Sequence, residues 1–283
     1  MRLLLNLFKL RIGVAIALAA LAGLAATPGA LAGWQVAVVT LAVLVSSAAA
    51  GAFNQYVERD IDARMARTRG RPFVTGSLAH GPAWLWVIGG MTAASVFAAA
   101  AAANWLAAFY VFMGAFTYGV VYTVWLKRRT AWNIVIGGLA GSFAVLAGAT
   151  AVAPEASPAA WWLAVALFLW TPPHFWSLAI VCREDYAAAG VPMLPVVVGD
   201  ARCARVIFAS AALLVASTLA PAFTGLGAAY LAAALAGGAL FLWKSWALVR
   251  RPGREAARAA FRASLLQLGL VLLGAIADAA LRG

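Results

Sequence analysis

Long apolar runs alternate with short polar breaks along the whole chain, and the runs recur at about the 20 residues that a helix needs to cross a bilayer core. They cover residues 12–32, 34–53, 84–103, 105–126, 132–153, 159–181, 206–223, 226–248 and 261–281. The pattern predicts an all-α polytopic membrane protein: nine transmembrane helices in one domain over residues 1–283. Alanine and glycine dominate many runs, which lets helix backbones approach closely. The breaks are of two kinds. Those at 27–33 (TPGALAG) and 153–160 (APEASPAA) are short and almost uncharged, whereas those at 54–83 and 182–205 are long and charged. Each long break follows the second helix of a group of four. Hydropathy and loop length therefore predict two four-helix units and a closing ninth helix, with the two charged loops together at one face.

Composition agrees with this class. With 65% hydrophobic and 11% charged residues and a mean hydropathy of +0.92, the chain has too little polar surface for a soluble globule of its length. Charge then supplies sidedness. If the N-terminus is cytoplasmic, twenty of the twenty-one Lys and Arg residues fall in inner segments and only Arg282 lies outside. Short loops that hold Lys and Arg stay inside, so the N-terminus is expected in the cytoplasm and the C-terminus in the periplasm. The net charge of +12 is thereby a topology signal, and no nucleic-acid partner is needed to explain it. Lys9 and Arg11 precede a run of full spanning length, so no cleavable signal peptide is expected. Cys182 and Cys203 both fall on the reducing inner side and offer neither a disulfide nor a metal pattern.

The densest charge lies at 54–72, NQYVERDIDARMARTRGRP. Carboxylates beside a bilayer are costly unless a cation neutralises them. If the second helix runs on past Phe53, then Asn54, Glu58 and Asp62 recur every four residues and stay on one helical face. Hard oxygen donors of this kind suit magnesium, which takes its remaining ligands from water and substrate phosphate. The bland alternative is a solvated helix end with internal ion pairs. Asp60 points elsewhere and is expected to pair with Arg59 or Arg64 of its own segment.

Arg67 and Arg71 follow at helical spacing, and Lys127 and Arg128 end the fourth helix on the same side. Guanidinium forks match phosphate oxygens, so a diphosphate is the anion expected there, although topology charge explains these residues equally well. The second loop carries Arg183, another cation, with Glu184 and Asp185. Adjacent helical residues diverge by about 100°, so one of the two acids is expected to face the first loop, and Asp185 is the choice. His174 follows two prolines, which are expected to break the sixth helix and aim the ring into a cavity. Haem ligation and a hydrogen-bonded core role are both open to it. His80 reads as structural.

Together these segments carry a resemblance: N-x-x-x-E-x-x-x-D at 54–62, M-x-R-T-x-x-R-P at 65–72, YTVWLKRRTAWN at 122–133 and PPHFWSLAIVCREDYAAAGVPMLP at 172–195. The chain resembles the UbiA-type intramembrane prenyltransferase superfamily and, within it, the haem-modifying branch of bacterial inner membranes. The resemblance implies a magnesium-dependent transfer of a farnesyl group from farnesyl diphosphate to a vinyl group of haem B, with water added to give haem O. It implies metal ligation by Asn54, Glu58, Asp62 and Asp185, with Glu184 as a further candidate, and diphosphate binding by Arg67, Arg71, Lys127 and Arg128. The general superfamily carries a second carboxylate four residues before Asp185, where this chain has Val181. Haem B is then a substrate, and a haem A synthase or a terminal oxidase assembly is the expected downstream partner. The alternatives are prenylation of a quinone precursor or a chlorophyllide and, in a different class, transport of an anionic metabolite.

Overall fold

The computed structural model describes residues 2–282 and is helical, with no strand among those residues. Nine long helices follow the apolar runs: α1 Leu10–Ala25, α2 Gly33–Val57, α3 Ala83–Ala102, α4 Trp105–Leu126, α5 Asn133–Val152, α6 Pro158–Val181, α7 Asp200–Phe223, α8 Ala228–Arg250 and α9 Arg254–Arg282. Eight have the length and apolarity of a membrane span, while α1 is shorter at 16 residues. The run expected over 12–32 thus loses its last turns as helix. Thr27 bonds back to the Gly23 carbonyl at 3.0 Å, and Pro28 then stops the helix because it cannot donate into it. At its other end, α7 starts earlier than hydropathy predicts, because a polar first turn from Asp200 joins the apolar run.

Consecutive helices pack side by side, and α9 closes the ring by packing on α8 and α6 on one side and on α1 on the other. α1 and α5 cross backbone to backbone. A Cβ on Gly23 would lie 2.0 Å from the Val145 carbonyl oxygen, and one on Gly148 would lie 1.9 Å from that of Ala20. Only glycine permits this approach, and it substitutes dispersion contact for the hydrophobic drive that lipid cannot supply.

Two elements differ from regular helix expectations at the end of the bundle that carries the charged loops. Pro172 and Pro173 lie inside a continuous α6 and do not break it. Proline is tolerated in a membrane helix where neighbours cover the carbonyls that it frees. Pro172 frees the Phe168 carbonyl, which faces Gly138 of α5 closely enough that a Cβ there would stand 3.1 Å away. The inner half of α4, Thr117–Leu126, is a π-helix. Its wider turn bonds the Lys127 amide to the Tyr122 carbonyl five residues back, at 2.9 Å. Such widened turns recur at functional sites.

Candidate active site

The first charged loop grows directly out of α2. Glu58 interrupts the helix with φ −91° and ψ 16°, and Arg59–Arg64 resumes it. The four-residue register survives, since the Glu58 amide donates to the Asn54 carbonyl at 3.0 Å and the Asp62 amide to the Glu58 carbonyl at 2.8 Å. Asn54, Glu58 and Asp62 consequently all point inward and are buried.

Each of the three meets a different cation. Lys9 Nζ donates to Asn54 Oδ1 at 2.5 Å, Lys127 Nζ to Glu58 Oε2 at 2.5 Å, and Arg71 Nη1 to Asp62 Oδ2 at 2.6 Å. Thr123 fixes the other end of the Asn54 amide by accepting from its Nδ2 at 3.0 Å. Charges this deeply buried persist only when they are paired. Burial raises the Asp62 carboxyl above the ordinary carboxylate range, and Arg71 only partly offsets that. Among the described residues no three His, Cys, Asp or Glu side chains converge as a metal site by themselves.

Lys9 is the residue that the sequence hid. It reads there as a topology charge, but it sits between two helices with left-handed backbone, φ 48° and ψ 43°. Its ammonium also donates to the Tyr118 hydroxyl at 3.1 Å. Burial, followed by repulsion from Arg71, pushes its pKa down to about 7. A strained, half-buried lysine set among charges at a cavity wall is a mark of function, and no spacing in the sequence signals it.

Asp60 corrects an expectation. Its partner is Arg128 of the fourth-helix end, through a bidentate pair at 2.7 and 2.8 Å, and neither Arg59 nor Arg64. The pair is half exposed, and the guanidinium holds the Asp60 carboxyl below the usual range. Arg128 is therefore engaged on the rim.

Across the groove, Asp185 accepts from the Ala66 amide at 3.1 Å and the Arg67 amide at 3.3 Å, so the second loop clasps the backbone of the first. The Arg67 guanidinium lies near Tyr186, Cys182 and Asp185. Glu184 faces outward and is exposed, and Arg183 pairs loosely with Asp200 at 3.5 Å. His80 stacks on Tyr56, with centroids 4.1 Å apart, outside this site.

Below the charged trio lies an apolar cavity of about 340 Å³, walled by α1, α2, α4, α5, α6 and α9, and Lys9 lines it too. Tyr110, Tyr118, Trp170, His174 and Phe175 supply its aromatic lining. Ile12 and Leu265 both line the cavity and are 54% and 47% exposed, so it opens sideways between α1 and α9. A cluster of buried charges is thus stacked on an apolar chamber with a lateral mouth, a shape and polarity that suit an amphiphile with a charged head and a long apolar tail.

Residues 15–269 match the model of the UbiA prenyltransferase family. The whole chain is 60% identical to protoheme IX farnesyltransferase 2 of Paramagnetospirillum magneticum and spans 99% of it. It is 44% identical to protoheme IX farnesyltransferase 1 of the same organism, with 97% of each chain covered. In fold it is similar to the solved structure described as digeranylgeranylglyceryl phosphate synthase, with TM-score 0.76 and 17% identity over 98% of both chains. It is similar also to a UbiA homolog from Archaeoglobus fulgidus bound to DMAPP and Mg2+, with TM-score 0.69 and 17% identity over 97% of this chain and 99% of that one. Matched in sequence along its full length and in fold over nearly all of it, this chain belongs to the UbiA prenyltransferase family.

Proposed function

We propose that the protein transfers a farnesyl group from farnesyl diphosphate to a vinyl group of haem B, with water added, to give haem O and diphosphate. The observation that carries the reading is the stacking of the Asn54–Glu58–Asp62 site directly on the aromatic cavity, with Lys9 belonging to both. The two sequence relatives from Paramagnetospirillum magneticum are protoheme IX farnesyltransferases by name, which supports the choice of substrates.

The donor set suits a divalent cation. Glu58 Oε1 is buried without a hydrogen-bond partner, and the oxygens of Asn54, Glu58 and Asp62 are the hard ligands that magnesium prefers. Asn54, Glu58 and Asp62 would hold the ion, while Asp185, whose oxygens accept from the Ala66 and Arg67 amides, would hold the loop that carries them. Bound there, magnesium would neutralise the charge that develops on the departing diphosphate.

The cations complete the anion site. Lysine has three N–H donors and arginine five, so Lys127 and Arg71 can bind diphosphate oxygens while keeping the single bond each makes to a carboxylate. Arg67, Arg128 and Arg183 are exposed at the rim and attract the anion toward it. Cleavage of the bond between farnesyl C1 and oxygen leaves its electron pair on the diphosphate. The vinyl group then attacks C1, the new cation beside the porphyrin is captured by water, and that water releases one proton. The aromatic walls exclude water from the first cation and face it with π-electrons.

The site opens to the cytoplasmic side of a bacterial inner membrane, with the N-terminus inside and the C-terminus in the periplasm, as the distribution of Lys and Arg argues. The product suits a haem A synthase or a terminal oxidase assembly downstream. Proteoliposomes holding the protein are expected to convert haem B and farnesyl diphosphate into a heavier, more hydrophobic haem, to stop on chelation, and to resume on adding magnesium. Unchanged haem beside diphosphate release onto another acceptor would overturn the assignment.

A further inference from the structure

His174 stands out among the cavity-lining side chains, because its ring is buried, caged and held at one nitrogen only. Trp170 stacks on one face with centroids 4.0 Å apart, Phe261 stacks at 4.5 Å, and Phe175 meets the ring edge-on at 5.2 Å. Nδ1 lies 2.7 Å from Ser264 Oγ. Nε2 has no hydrogen bond to any described residue, although the side chain lines the cavity and is only 6% exposed.

The proton can be assigned by counting bonds. Ser264 Oγ also lies 2.7 Å from the Phe261 carbonyl, which can only accept. A hydroxyl has one proton. If Ser264 donates to Phe261, it accepts from Nδ1–H, and both bonds form. With the proton on Nε2 instead, Ser264 must choose between its two partners, and an N–H donor is left unpaired in an apolar chamber. An unmade hydrogen bond to a buried donor is costly, so the Nδ1–H tautomer prevails and the lone pair of Nε2 faces the cavity. The Ser264 carbonyl accepts from Trp170 Nε1 at 2.8 Å, so the same residue also pins the ring on which His174 rests.

We infer that Ser264 is a positioning residue that fixes the tautomer of His174 and thereby presents its bare Nε2 as a ligand to the iron of a porphyrin substrate in the cavity. A neutral imidazole whose other nitrogen is held by a hydrogen bond is the usual form of an iron-binding histidine. The inference rests on the proposed function for the identity of the porphyrin. It also gives the closing helix α9 a role beyond packing, since through Ser264 and Phe261 that helix sets the ring that α6 carries.

The test is to titrate ferrous haem B into the detergent-solubilised full chain, record the iron–nitrogen stretch by resonance Raman, and follow turnover in parallel. The wild type is expected to show a histidine–iron band that His174→Ala loses and added imidazole restores. Ser264→Ala is expected to weaken haem binding about 10-fold and shift the band, as loss of a partner behind a metal ligand does, while Ser264→Thr, which keeps the hydroxyl, retains both. An unchanged band and affinity in His174→Ala would overturn the inference, even if turnover is lost, because the imidazole would then be acting as a proton acceptor. Equal affinity and band in a folded Ser264→Ala would overturn the positioning role. Haem farnesylation without any histidine–iron band sinks this inference alone, whereas a wild type that neither binds nor alters haem sinks the proposed function with it.

Discussion

The two charged loops occupy equivalent places after α2 and α6 and carry three acids each, yet they treat their carboxylates in opposite ways. In the first loop Glu58 and Asp62 are buried, and each is paired with a cation, Glu58 with Lys127 of the distant fourth-helix end and Asp62 with Arg71 of the same loop. In the second loop Glu184 is exposed, and the half-buried Asp185 spends both oxygens on backbone amides of the first. One loop therefore holds the strained charge, and the other holds that loop in place. Asp60 and Asp62 repeat the contrast two residues apart. Both pair with arginine, but the exposed Asp60 has its pKa lowered while the buried Asp62 has it raised, because desolvation outweighs the partner only in the buried case.

The sharpest way to break the contrast is Lys127→Met. It leaves Glu58, 1% exposed, as an uncompensated buried charge, and is expected to cost about 3–5 kcal/mol of stability, read by unfolding in mixed micelles. A double variant that also replaces Glu58 with Gln should recover much of that loss. Next, Asp62→Asn is expected to lower turnover about 10³-fold with the protein still in the membrane, since it removes a buried charge at the proposed metal site. Asp185→Asn is expected to lose about 10²-fold, because the amide can accept from one of the two backbone N–H groups but not from both. Near-wild-type rates in Asp185→Asn would mean that the clasp between the loops is dispensable.

The smallest effect belongs to the exposed pair. Asp60→Asn is expected to cost only about 0–1 kcal/mol. Because the folded pKa of Asp60 lies below the free value of 3.8, this contribution is present above that value and disappears as the pH falls through the folded pKa. Unfolding of Asp60→Asn and wild type should accordingly differ by a constant amount near neutrality and coincide in strong acid. A cost as large as that of Lys127→Met would erase the distinction between rim and interior.

Much of this was legible along the chain, for a physical reason. Hydropathy and helical periodicity are local properties, so the nine runs, the grouping of the charged loops between them and the shared face of Asn54, Glu58 and Asp62 follow from residue order. Where local signals were misleading, a contact supplied from elsewhere had intervened. Pro172 and Pro173 predict a break, but α5 packs against the freed carbonyl and the helix continues. Asp60 has arginines beside it in sequence, but Arg128 offers a fork that a neighbour on the same helix cannot.

The sequence by itself determined a membrane-embedded helical bundle with an acidic motif and a basic surround on one side, because those depend on composition and on spacing within single helices. Only the tertiary structure decided which cation neutralises which acid, that Lys9 joins the charged site to the cavity, and that Ser264 leaves one nitrogen of His174 bare. Those pairings join residues 45, 69 and 90 positions apart, and no local preference encodes a distance of that kind; it exists only once the ring of helices has closed.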